Sequence, residues 1–153
     1  MPKIGYLIIF ILILIIAFLV YFRFPRKITK SITQKISGQD FSLDIADNSY
    51  LQAKGLSGIS KLAANDGMLF IFNGEAYRYF WMKDTLIPLD MIFITQSGQV
   101  TDIDTAVPEP GKSDLQLKIY QSSQPVKYVI ELNANTAQKI NLKIGDFINI
   151  NNQ

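Results

Sequence analysis

GMLFIFNGEAYRYFW, residues 67–81, places two β-rich runs on either side of Asn73-Gly74. An Asn-Gly pair supplies the positive φ angles of a type I′ turn, the usual two-residue hairpin connection. The stretch therefore predicts residues 68–72 paired antiparallel with 75–80. A second hairpin is expected just downstream, where LDMIFIT and QVTDIDTAV flank a turn at Gln96-Ser97-Gly98. Upstream, FSLDIA (41–46) alternates like a half-buried strand. In SYLQAKGLSGISKLAAND (49–66), Ala and Leu suggest a helical turn or two, while Gly55 and Gly58 argue for a stop. Downstream, AVPEPGKSDL reads as a loop, KYVIELN (127–133) as a strand and TAQKINL (136–142) as a short helix, and KIGDFINI turns at Gly145-Asp146. Short strands in a meander with turns between them predict a mainly β (α+β) domain. Its expected form is a small barrel or sandwich with one or two short helices.

The N-terminal part has a different character. Residues 4–22, IGYLIIFILILIIAFLVYF, run without a charge. As a helix they span about 28 Å, close to a hydrocarbon core. No small-x-small cleavage site follows, so an uncleaved anchor in membrane lipid is expected rather than a signal peptide. Residues 23–39 are basic and polar and predict a juxtamembrane linker. Ile28, Ile32 and Ile36 recur every four residues, as on a short interfacial helix, but a solvated linker is the simpler reading. The β-rich domain is then expected over 40–153.

Composition removes whole classes of function. The chain's net charge is +2, yet Lys3, Arg23, Arg26, Lys27 and Lys30 all flank the apolar run. Beyond them stand ten basic residues against thirteen acidic. A mildly acidic domain lacks the clustered Lys and Arg that counterion release requires, so nucleic acid is not an expected partner. The absence of Cys excludes disulfides, thiolate nucleophiles and iron–sulfur clusters. The absence of His excludes Ser-His-Asp chemistry and typical zinc sites. No cofactor is indicated.

The chemistry concentrates in FWMKDTLIPLDMIFI, residues 80–94. An extended Phe80–Thr85 puts Trp81 and Lys83 on one side and Asp84 on the other. Asp90 faces with Ile92 and Ile94, and Glu131 lies between Val129 and Asn133 in the later strand. A carboxylate on an apolar face is costly unless paired or hydrogen-bonded. Either these groups brace turns, or Lys83, Asp84, Asp90 and Glu131 converge with Trp81 on a pocket. In the second case Trp81 is the platform and Lys83 the charge for an anionic group.

GMLFIF, FWMKDTLIPLDMIFI, Tyr120-Gln121-Ser122, YVIELNA and KIGD occur in the order of the family known as domain of unknown function 192, which this chain resembles over roughly residues 40–150. The resemblance implies a small β-barrel-type domain, often exported behind a signal or anchor, with no established activity. It adds Tyr120 to the candidate binding residues. The family's usual Trp-Met-Lys-Asn-Thr carries Asp84 in place of the amide here. Its upstream Gly-Leu-Met-Phe-Arg element appears as Gly55-Leu56-Ser57-Gly58-Ile59 without the arginine, and a cysteine frequent after the proline loop is missing. Lys83 is left as the expected charge of the site.

The expectation is thus a single-pass membrane protein whose domain binds a small ligand or an envelope protein without catalysis. The alternatives are a hydrolase using Asp84, Asp90 or Glu131 as acid and base, and a purely structural domain. Basic residues just after the apolar run favour a cytoplasmic domain. The resemblance favours an extracytoplasmic one, and that side is expected.

Overall fold

Ser37 and Gly38 both adopt positive φ (47° and 86°), and the chain reverses there between β1 (Ser31–Ile36) and β2 (Gln39–Ala46). The two strands pair antiparallel with Ile36 opposite Gln39. This is the two-residue turn whose twist matches the flanking strands. Ile32, Gln34 and Ile36 alternate onto the side of β2 that carries Phe41 and Leu43. The buried Gln34 amide donates to the carbonyls of Lys35 and Asn149, both at 2.9 Å. The computed structural model describes residues 30–150, and Leu12 ahead of them. Within that range the sheet begins well before residue 40, and residues 31–36 are a strand rather than linker or interfacial helix. The four-residue isoleucine spacing is equally a multiple of the strand period of two. The expected anchor lies, apart from Leu12, outside the described residues. Among those described, no helix is long and apolar enough to cross a membrane.

A short helix, α1 (Ser49–Lys54), leads from β2 to β3 (Asp66–Ala76). The Asn48 side chain accepts from the Leu51 amide at its start, and Gly55 ends it with φ 48°. This crossover makes β2 and β3 parallel, Ser42 opposite Asp66 through Ala46 opposite Phe70. β3 then runs through Asn73-Gly74 without turning, and neither residue takes a positive φ. The expected hairpin is absent. The antiparallel partner of β3 is instead β8 (Val126–Asn133), with a register irregularity between Ile71 and Ala76 that absorbs the Asn-Gly pair. Residues beyond it form β4 (Tyr79–Phe80), which pairs with β7 (Tyr120–Gln121) as a separate two-stranded sheet.

The second expected hairpin is present. β5 (Leu89–Ile94) and β6 (Val100–Ala106) pair antiparallel around Gln96-Ser97-Gly98. The six-stranded sheet has the order β1-β2-β3-β8-β5-β6. Its outer strands β1 and β6 do not pair, so the sheet is open and the barrel expectation is corrected, as is the simple meander. Both faces are covered. On one, Phe41, Leu43, Leu69, Ile92, Ile130 and Leu132 pack with Leu142 and Ile148 beside α2 (Thr136–Lys139). On the other, Met68, Phe70, Met91, Phe93 and Val129 pack with Leu56, Met82 and Tyr120. Burial on two faces explains why β5 reads as an unbroken apolar run around a single aspartate.

Candidate functional site

The second face carries an acid at its centre. Glu131 of β8 stands opposite Met68 of β3 and Met91 of β5. It is 4% exposed, and its Oε2 has no hydrogen-bond partner. Burial among these side chains pushes its carboxyl up to about 8, so it holds its proton at neutral pH.

Glu131 lines a cavity of about 330 Å³ between the C-terminal end of α1, the outer half of β3 and the segment leading through β4. Phe80 anchors that segment, meeting Phe70 edge-on at 4.9 Å and Phe93 at 5.9 Å. Arg78 is held by its backbone. Its amide donates to Ser122 Oγ (3.0 Å), and its carbonyl accepts from the Ser122 amide (3.1 Å). The guanidinium lies 3.8 Å over the Phe72 ring, and Nη2 donates to the Gly74 carbonyl at 2.6 Å. Nε is buried without a partner. Burial lowers the Arg78 pKa, though a guanidinium keeps its charge. Arg78 Nε and Glu131 Oε2 are the buried side-chain polar atoms left unpartnered among the described residues. Both residues line this one cavity.

Trp81 and Lys83 are at its rim. Trp81 is 43% exposed, with the Lys83 ammonium 5.5 Å from the ring centroid. Lys83 also pairs with Asp114, whose hydrogen bond raises its pKa. Three of the six expected residues, Trp81, Lys83 and Glu131, therefore share a wall. The other three do not. Asp84 is exposed, with φ 52°, and its carbonyl accepts from Gly58 N at 2.8 Å. Left-handed backbone is common to Asn and Asp, so the acid in place of the amide keeps the turn chemistry. Asp90 lies on the opposite face of the sheet and is 1% exposed. It accepts from Thr105 Oγ1 (2.8 Å), Asn135 N (3.0 Å) and Ala137 N (2.9 Å), bracing the entry to α2. Tyr120 is buried behind the cavity, under the Lys118 ammonium at 4.4 Å.

Arg78 is the site residue that the sequence reading missed, together with Lys54, Tyr77 and Tyr79 on the same walls. The available signal was an arginine set among aromatics in AYRYFW, where a charge needs a reason.

The profile of the DUF192 family, described as "Uncharacterized ACR", matches residues 31–150. The chain belongs to the DUF192 family. Two solved structures are similar to this DUF192 chain. A "putative transcription regulator" from Sinorhizobium meliloti 1021 is 34% identical, over 76% of this chain and 88% of that one, with TM-score 0.66. A protein of unknown function from Novosphingobium aromaticivorans DSM 12444 is 30% identical, over 78% and 83%, with TM-score 0.65. No curated protein matches the chain.

Proposed function

We propose that this DUF192 domain is a non-catalytic module that binds a small ligand in the cleft between Glu131 and Arg78. One observation carries the reading: the two unpartnered buried polar atoms both belong to residues of that cleft. Leaving such groups unsatisfied costs about 1–3 kcal/mol each, and a ligand that satisfied both would recover it. Aromatic walls with a few convergent polar groups are the usual composition of a ligand pocket.

Hydrolysis by paired carboxylates is less well supported. Glu131 is the one acid on the cleft wall, while Asp84 is exposed outside it and the Asp90 carboxylate accepts three hydrogen bonds on the other face. Transcriptional regulation is the description of the Sinorhizobium protein. Ten basic against thirteen acidic residues beyond residue 30 favour a small ligand over nucleic acid here. The proposal includes a tether through residues 4–22 and a domain on the outer side of the membrane. Protease treatment of intact cells tests that part, since a domain left uncut until lysis would be cytoplasmic.

Trp81 is the chain's single tryptophan and sits on the cleft rim. A fragment collection titrated against the protein should contain binders that shift its emission and perturb the amide resonances of Gly55 and Arg78. Binders that perturb only residues remote from this cleft would overturn the assignment.

A further inference from the structure

Resting on that reading, we infer that the ligand is a small organic carboxylate with a flat apolar body, its oxygens held by Arg78 and by the protonated Glu131, so that binding is coupled to one proton. The hydrogen-bond inventory leads there. Arg78 Nε–H is a donor without an acceptor. Glu131, protonated at neutral pH because burial pushes its carboxyl up to about 8, offers an O–H beside an unpartnered oxygen. Two unpartnered groups on residues that line one cavity call for a ligand that is acceptor-rich, and a carboxylate brings two oxygens and a charge. The charge also fits. Lys54, Arg78 and Lys83 line the cleft against one acid, in a domain that is otherwise acidic. Lys83 is committed to Asp114, which leaves Lys54 and the half-buried Arg78, and of these Arg78 carries the buried donor that lacks an acceptor.

The walls set the ligand's body. Phe72, Tyr77, Tyr79 and Trp81 line the cleft, and planar ligands stack on aromatic side chains. A volume of about 330 Å³ lies at the small end of ligand pockets, roughly 300–1,000 Å³, and suits a molecule of one or two rings.

The proton coupling depends on what surrounds Glu131. Along its row of the sheet the immediate neighbours are Met68 and Met91, both uncharged, with Asp44 and Asp104 each one strand further out. Burial raises the Asp104 pKa as well, with Lys118 opposing it. From α1 comes Lys54, from the segment after β3 come Arg78, Tyr77 and Tyr79, and beyond β4 comes Lys83. If Glu131 ionises, two carboxylates compete for one guanidinium, and binding is lost.

Calorimetry on the full chain in detergent tests this, with benzoate, benzamide and inorganic phosphate as probes in two buffers of different ionisation enthalpy. Benzoate should bind at least tenfold more tightly than benzamide or phosphate. Its affinity should be level from pH 6 to 7.5, fall about tenfold per pH unit above the Glu131 pKa, and be accompanied there by uptake of one proton. Glu131→Gln, whose amide still donates, should retain benzoate binding and lose the pH dependence. Arg78→Gln, checked for folding by circular dichroism, should weaken benzoate at least tenfold. Benzamide binding as tightly as benzoate at the cleft would overturn the carboxylate inference and leave the ligand-binding reading standing. A pH-independent wild type, or an unchanged pH profile in Glu131→Gln, would overturn the proton coupling alone. If no probe or fragment touches the cleft, both readings fall.

Discussion

Glu131 and Asp90 are two buried carboxyl groups with opposite solutions. Asp90 receives three donors, so Asp90→Ala strands two backbone amides and should cost about 1–3 kcal/mol. A fall in the urea midpoint measures it. Glu131 is buried without hydrogen-bond compensation and keeps its proton instead. From its ordinary value of 4.5 up to about 8, the folded chain holds a proton that the unfolded chain releases. Stability should therefore decline as pH rises across that window and level off above it, by a total on the order of 5 kcal/mol. Glu131→Gln should flatten the decline and be the more stable protein at pH 8, read from urea midpoints at pH 5, 6.5 and 8. Asp90 and Glu131 were legible as problems because each interrupts an apolar run. The answer to each was not, because the donors to Asp90 come from Thr105 and from residues 135–137, and the company of Glu131 comes from α1 and β4. Arg78 was invisible for the same reason, since its grip on Ser122 crosses more than forty residues.

At the scale of elements, local signals held where the partner was local. The β5–β6 hairpin stands as read, and of the two glycines expected to stop α1 it is Gly55 that ends it. Asn73-Gly74 carried as good a turn signal but lost to tertiary pairing. β3 is flanked by β2 on one side and β8 on the other, and turning at residue 73 would leave the register with β8 unfinished. The true mirror-image turn, Ser37-Gly38, lay in a segment that its lysines had marked as linker. Two glycines separate conformation from space. A Cβ on Gly38 meets nothing within 4 Å, so Gly38→Ala should cost about 1 kcal/mol from its positive φ alone. At Gly67 a Cβ would lie 2.5 Å from the Glu131 carbonyl and 2.6 Å from Leu132 Cδ2, with no room between β2 and β8. Gly67→Ala should cost more, about 1–3 kcal/mol, and thermal melts of the two variants should rank them in that order.

For the whole molecule, the edges of the sheet matter most. β1 covers one edge, and a fragment 40–150, starting where the composition shift suggested, would lose it. The unpaired groups of β2 and the inner side chains Phe41 and Leu43 would then face solvent. Such a fragment should aggregate at concentrations where 30–150 is monomeric, as sedimentation would show. β8 raises a different matter, that of timing. It is the last strand along the described chain, yet it lies in the sheet between β3 and β5. A ribosome that has released only residues up to 125 has made β1-β2-β3 and β5-β6 without the strand that lies between them in the sheet. The six-stranded sheet therefore cannot be complete until its final strand has entered between β3 and β5, both made earlier.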